Sequence, residues 1–349
     1  MNAVPNHLLE LQQQLVPDLI ETMKKRYRIL YHLSLTQPIG RRALAQQLQT
    51  TERILRAEVD LLKDGGLIVA ETVGMHLTER GFNLLAQLAD VIREAEGLAE
   101  KERRLAERLG LKEVRIVAGD ADADPFVKKA IGHAAADWLT RTLQPGDILA
   151  VTGGTTIATV ADSIARTKLS VEVLPARGGV GEHMEFQANA IAARIAGQLG
   201  GTYRLLHAPD VLSDEALQSL TYDPPIQDTL SRLRSARIVL HGIGQAIPMA
   251  KRRRLTAKSI EQIESHGGIA EAFGYYFDEL GNIIYAMNTV GLRLSDLKRI
   301  ERVVAVAGGS SKAKAISAVA YGCPLQVLIT DEAVADAILQ IEEQEARER

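Results

Sequence analysis

Apolar residues follow two regimes along this chain, with the change near residue 110. Before it they recur at three- and four-residue steps, the spacing of helices with one buried face. Met23–Leu35 presents Ile29, Leu30 and Leu33 in this way, and Glu52–Asp64 presents Leu55, Val59 and Leu62. Between them lie the Thr36-Gln37-Pro38-Ile39-Gly40 break, a short helical run from Arg41 to Leu48, and Gln49-Thr50-Thr51. Two short helices joined by a three-residue turn behind an earlier helix predict a helix-turn-helix, with Thr51 placed to cap the second. Leu67–Glu71 and Met75–Leu77 flank Gly74 as a hairpin and complete a winged helix.

From Thr78 to Leu109 the steps lengthen into a heptad seam of Leu84, Leu88, Val91, Ala95, Leu98, Glu102, Leu105 and Leu109. This predicts one long helix that either pairs with a second copy or packs on its own domain. Beyond Leu111 short apolar runs alternate with helical patterns. Strands are expected near Val114–Val117, Asp147–Val151, Ser170–Pro175, Tyr203–Leu206, Arg237–His241, Arg302–Val306 and Leu325–Ile329. Helices between them make the region a doubly wound, Rossmann-like α/β sheet. The expected divisions are an N-terminal helical extension over 1–20, broken near Pro17; the winged helix over 21–80; a coiled-coil-like linker helix over 81–110; and an effector-binding and oligomerisation domain over 111–349.

Candidate chemistry gathers where strands meet helices. The strand ending at Val151 runs into Thr152-Gly153-Gly154-Thr155-Thr156, and the strand ending at Val306 runs into Ala307-Gly308-Gly309-Ser310-Ser311-Lys312. Glycine permits close backbone approach, and the following helix offers unpaired N–H groups at its positive end. Either loop alone is also read as a capped strand-to-helix turn. Two copies in one context, one with a lysine, favour phosphate binding. Neither fits G-x-G-x-x-G, which argues against a dinucleotide. Arg177–Glu182, Gln187, Arg252 within Lys251–Arg254, and Glu271 also belong near the ligand edge of such a sheet.

Composition narrows the class. The chain has 349 residues, 46% hydrophobic and 24% charged, as expected of a soluble protein with more than one core. Cys323 is the single cysteine, which excludes an intrachain disulfide. No apolar run spans a bilayer and no signal-peptide pattern opens the sequence, so a cytoplasmic protein without a membrane partner is expected. The net charge of −3 hides a local basic excess, because Glu21–Arg80 holds ten Lys and Arg against seven Asp and Glu. On the winged-helix reading, Thr51 opens the recognition helix, Glu52, Arg53 and Arg56 lie near bases, and Arg41, Arg42 and Lys63 near phosphates. Gln49 stands where such turns often use glycine.

The winged helix, the linker and the loops Thr152–Thr156, Arg177–Glu182 and Gly308–Lys312 together resemble the SorC/DeoR group of bacterial transcriptional regulators. The segments Ala307–Ala315 and Ala272–Phe277 carry the resemblance most specifically. It implies a repressor of a glycolytic operon that binds operator DNA as a homo-oligomer, a dimer or a tetramer on DNA. It also implies a domain similar to glucosamine-6-phosphate deaminase and ribose-5-phosphate isomerase, with fructose 1,6-bisphosphate or a related sugar phosphate as effector. Carried over by motif, Gly154, Thr155, Thr156, Ser310 and Lys312 bind phosphate, and Arg177, Gln187, Arg252 and Glu271 surround the sugar. No cofactor, metal or catalytic residue is implied. The alternative is a sugar-phosphate isomerase or deaminase, for which Glu271 with Asp120, Asp122, Asp124 or His241 supplies the acid–base candidates. An enzyme has no obvious need of a winged helix.

Overall fold

The computed structural model describes residues 11–12, 14–179, 183–209 and 211–348. The chain divides into two compact units, Met1–Glu100 and Lys101–Arg349.

In the first unit, helices Pro17–Thr36, Arg41–Gln47 and Glu52–Asp64 precede strands β1 (Ile68–Glu71) and β2 (Gly74–Leu77) and helix Glu79–Ala95. The apolar faces legible in the sequence converge: Ile29, Leu30 and Leu33 meet Leu44, Leu55, Val59, Leu62, Ile68 and Met75 in one core. Burying each large aliphatic side chain contributes about 1.5–3 kcal/mol, enough to hold three short helices that would not persist alone. The antiparallel β1–β2 pair forms the wing, and Met75 also bridges to Ile39. Gln49 adopts φ +50, so the turn takes the left-handed conformation that glycine usually supplies. Residues 14 and 15 are helical, Val16 breaks the run, and a new helix begins at Pro17, so the expected interruption falls there, with proline at the first helical position. The rest of the expected 1–20 extension lies largely outside the described residues.

The long linker helix is instead two helices, Glu79–Ala95 and Leu98–Leu109. Glu96 caps the first, and Gly97 follows at φ +70 with its N–H on Glu94 O at 2.9 Å. A left-handed glycine ends helices in this manner. The heptad seam is also divided. Ile92, not Val91, is buried in the first helix, whereas Leu105 and Leu109 are buried within the second. Glu102, the polar interruption of the seam, accepts the Ile116 N–H at 2.6 Å. Lys101 ties the second helix to Glu332 and Asp336 at 2.6 and 2.8 Å.

The second unit is built on a seven-stranded, wholly parallel sheet. Its strands are β3 (Glu113–Val117), β4 (Ile148–Val151), β5 (Glu172–Pro175), β6 (Thr202–Tyr203) and β7 (Ile238–His241), followed by two late strands. Between them, β8 (Gly244–Gln245), β9 (Ala270–Ala272), β10 (Tyr275–Phe277) and β11 (Ile283–Ala286) form a separate antiparallel sheet that periodicity does not announce. Strands β12 (Arg302–Val306) and β13 (Val327–Asp331) then complete the parallel sheet in the order β3-β13-β12-β7-β4-β5-β6. Its core packs Leu149, Val151, Val173, Leu240, Val304 and Ile329 against helices Pro125–Thr142, Thr155–Ser163 and Ala188–Leu199. No helix among the described residues is long and apolar enough to cross a membrane.

Candidate functional site

Strand order reverses between β4 and β7. From β4 the chain proceeds outward to β5 and β6, and from β7 the other way to β12 and β13. Ligand crevices of such sheets open beyond the strand C-termini at this switch. A cavity of about 590 Å³ lies there, lined by the segments that follow β4 and β7. The buried Thr152 hydroxyl accepts the Gly242 N–H at 3.3 Å and ties the two strand ends together.

The two glycines after Thr152 answer different requirements. A Cβ on Gly153 would come within 2.7 Å of Phe186 O. Gly154 has open space around it but stands at φ +122, which only glycine adopts without strain. Helix Thr155–Ser163 begins at once, and its first turn carries N–H groups without intrahelical partners.

Three cations surround this turn. Lys312 and Arg252 line the cavity. Lys128, on helix Pro125–Thr142, donates to Thr155 Oγ1 at 2.8 Å. Burial, reinforced by the charges of Lys312 and Arg252, lowers the Lys128 pKa. Burial lowers that of Lys312 too, against the pull of Asp122 and Asp331. Two partly desolvated ammonium groups thus share a cavity with an open helix terminus.

On the opposite wall Glu271 is buried between arginines, 3.6 Å from Arg177 and 3.1 Å from Arg253, and accepts the Gly274 N–H at 2.8 Å. Glu271 precedes a two-residue hairpin turn, Phe273-Gly274, with φ +55 and +84 as a type I′ turn requires. This left-handed backbone sets the Phe273 ring 4.6 Å from the buried His241 ring at the cavity edge. Burial depresses the His241 pKa to about 4, so its imidazole is neutral, with Nδ1 3.1 Å from Gly242 O.

The structure thus brings Gly154, Thr155, Thr156, Arg177, Gln187, Arg252, Glu271 and Lys312 around one cavity. Ser310 is placed otherwise. Its hydroxyl donates to Asp120 at 2.9 Å and its N–H to the same carboxylate at 3.2 Å. Ser311 N–H binds Asp122 at 2.8 Å and Gly309 N–H binds Asp331 at 2.7 Å. The second glycine turn therefore holds carboxylates of its own chain. Gly309, at φ +100, is needed both for that backbone and for the approach of the Asp122 carboxylate. The bond from Asp122 N–H, together with those from Ser310, keeps Asp120 below the usual carboxylate range. Burial raises Asp331, helped by the nearby Asp120 charge and opposed by N–H bonds from Ala121, Val334 and Gly309. Lys128 and Arg253 were not singled out by sequence. Lys128 lies in an ordinary helical run 27 residues from Thr155, with no local signal to mark it. Val180–Glu182 of the loop after Arg177 fall outside the described residues.

In the first unit, Thr51 Oγ1 accepts the Ile54 N–H at 3.3 Å and caps helix Glu52–Asp64. Glu52, Arg53, Arg56 and Lys63 are exposed on that helix, Arg42 is exposed, and Arg41 is half-buried at the start of helix Arg41–Gln47. The helix-turn-helix therefore presents its basic side chains to solvent while its apolar face closes the core.

A sugar-binding domain model matches residues 93–340, and the model of the CggR N-terminal DNA-binding domain matches residues 22–92. The chain belongs to the SorC/DeoR-type sugar-binding transcriptional regulators. It is 43% identical over 339 residues to the central glycolytic genes regulator of Bacillus subtilis, covering 97% of this chain and 100% of that one. To the protein of that name from Priestia megaterium it is 45% identical over 336 residues, covering 95% and 98%. A solved SorC family regulator from Enterococcus faecalis superposes with a TM-score of 0.65 at 40% identity over 69% of this chain and 99% of its own. The full-length sorbitol operon regulator of Klebsiella pneumoniae covers 93% of this chain and 99% of its own with a TM-score of 0.66, and at 17% identity it shares the fold. The family assignment gives this regulator a DNA-binding and a sugar-binding part, in the order the sequence predicted.

Proposed function

We propose that this regulator represses a glycolytic operon and that a phosphorylated sugar, fructose 1,6-bisphosphate first among the candidates, modulates its hold on operator DNA. The charge of the cavity carries the reading. Arg177, Arg252, Arg253, Arg254 and Lys312 line it, Lys128 stands behind Thr155, and Glu271 is the one carboxylate among the described lining residues. A bisphosphate brings roughly −1.5 to −2 charges per phosphate, a match for that excess. One phosphate sits at the first turn of helix Thr155–Ser163 with Lys312 and Arg252; Arg177, Gln187 and Glu271 face the sugar. Ser310 contributes by fixing, through Asp120, the turn that carries Lys312. The names of the two full-length relatives supply the glycolytic target. Thr51, Glu52, Arg53 and Arg56 address bases and Arg41 and Arg42 the phosphates of the operator, to which the chain binds as a dimer or tetramer in the cytoplasm.

Regulation follows by linkage. An effector that binds tenfold more tightly when the DNA-binding parts are misplaced weakens DNA binding tenfold, which needs about 1.4 kcal/mol.

The carboxylates that would serve an isomerase or deaminase as acid or base have other engagements. Glu271 is held by two arginines, Asp120 and Asp122 hold the Gly309 turn, and Asp124 Oδ1 caps helix Pro125–Thr142 through Phe126 N–H at 2.8 Å. This supports a receptor over an enzyme. Calorimetric titration of the full-length chain tests it. Fructose 1,6-bisphosphate should bind, fructose should not, and Lys312→Ala should lose most of the affinity. Failure of every sugar phosphate to bind, or turnover of one by the pure protein, rejects the proposal.

A further inference from the structure

We propose that Lys128 is a ligand of the effector's phosphate, closing the Thr155 turn from the side of helix Pro125–Thr142. This rests on the sugar-phosphate reading and adds to it a residue that faces the site from a neighbouring helix.

The argument starts from a half-buried ammonium with an unusual set of neighbours. Its polar partner among the described residues is the neutral Thr155 hydroxyl, at 2.8 Å, and no carboxylate pairs with it. The charges that act on it are those of Lys312 and Arg252, both repulsive. Desolvating a cation beside two others opposes folding unless something else requires it there. Pinning the two helices together is not that requirement. Gly132, one turn further along the same helix, already packs so closely on helix Thr155–Ser163 that a Cβ there would come within 3.0 Å of the Thr159 backbone. An anion at the helix terminus removes the conflict. It faces the unpaired first-turn N–H groups and the Thr155 hydroxyl, with Lys128, Lys312 and Arg252 around it. Donors of these kinds are what a phosphate dianion takes on its several oxygens.

The other glycine turn sharpens the assignment. The N–H groups of Gly309, Ser310 and Ser311 are bonded to Asp331, Asp120 and Asp122. The negative charge that satisfies that turn is covalently part of the chain. The Thr155 turn has Lys128 on it, Lys312 and Arg252 nearby and, among the described residues, no carboxylate bonded to it, so on this reading its anion arrives with the ligand.

The test is calorimetric titration of the full-length chain and its Lys128→Met and Lys128→Arg variants with fructose 1,6-bisphosphate, alongside thermal melts without ligand. Loss of one charge-assisted contact in a desolvated site should weaken binding of Lys128→Met by about 10- to 100-fold. Lys128→Arg, which keeps the charge, should remain within about fivefold of the wild type on the same grounds. The unliganded melting point of Lys128→Met should stay level or rise, since a repulsion is removed. Unchanged affinity in Lys128→Met with a lowered melting point would make the residue a structural pin and overturn the inference, while loss in Lys312→Ala in that experiment would leave the sugar-phosphate reading standing. Absence of binding to the wild-type chain overturns both.

Discussion

Acid should destabilise the sugar-binding domain in a part that can be traced to His241. Its imidazole is fully enclosed at the end of β7 and its pKa is lowered from 6.5 to about 4 by desolvation. Above about pH 7 the ring is neutral whether the chain is folded or not, and it contributes no pH dependence. As pH falls below 6.5 the unfolded chain takes up a proton that the folded chain refuses, so stability declines with pH until the folded ring itself titrates near 4. At 1.36 kcal/mol per unit, this one group removes about 2 kcal/mol between pH 7 and pH 5, and about 3 kcal/mol once pH is below 4. Trp138 makes the measurement selective. It is the single tryptophan of the chain and packs on the core of the parallel sheet, with Nε1 3.1 Å from Glu113. Urea unfolding followed by its fluorescence should show a loss of stability between pH 7 and pH 5 that is smaller by about 2 kcal/mol in His241→Leu, which occupies similar space without titrating. Carboxylates titrating in this window are shared by both proteins and cancel in the difference. If the variant loses stability with acid as steeply as the wild type, the imidazole is not the proton acceptor and the assignment of a dry, neutral His241 is wrong.

Further outcomes follow from single geometries. Gly154→Ala should weaken fructose 1,6-bisphosphate binding at least about tenfold in a calorimetric titration, because φ +122 strains any residue with a Cβ by about 1–3 kcal/mol and the turn must shift. Thr51→Ala removes the cap of helix Glu52–Asp64 and should lower the stability of the DNA-binding unit by about 1 kcal/mol, read by hydrogen exchange of amides in residues 52–64. Arg53→Ala, at an exposed position of the same helix, should reduce discrimination between a selected duplex and a random one by about 1–3 kcal/mol in an anisotropy titration. An effect equal on both duplexes would place Arg53 on a phosphate instead.

The parallel sheet was legible because its strands are buried on both faces and read as unbroken apolar runs, such as Ile148–Val151 and Val303–Val306. The antiparallel sheet was not. Gly244–Gln245 and Ala270–Ala272 are too short to show a period, and their pairing is fixed by the Phe273-Gly274 turn and by contacts distant in sequence. The linker shows a different failure. A heptad count runs smoothly through Gly97, so the pattern favours one helix, and the glycine counts only as a propensity cost of about 1 kcal/mol on that view. The backbone at φ +70 is a helix stop, and the hydrophobic positions on its two sides serve different surfaces. Sequence period locates buried faces; it does not say which neighbour buries them.

The two glycine turns carry this point to the site itself. Both are strand-to-helix turns with two glycines and a hydroxyl residue, and the motif offers N–H groups in each: the Gly309 turn gives them to carboxylates, while the first turn of helix Thr155–Ser163 leaves them open. What it cannot specify is the source of the anion. For the Gly309 turn that source is the loop after β3, 190 residues away in the chain, together with the end of β13. For the Thr155 turn the neighbours drawn in by the fold are Lys128, Arg252 and Lys312. Like motifs therefore become a structural clamp in one case and, on the function proposed above, a ligand site in the other, according to the sign of the charge that the fold delivers to each. The clamp also bears on the ligand site, since the Asp122 and Asp331 carboxylates help keep the Lys312 ammonium charged where burial alone would favour its neutral form. Replacing Asp122 by Asn should accordingly loosen the Gly309 turn and lower the Lys312 pKa together, so that effector affinity falls more steeply with rising pH than in the wild type.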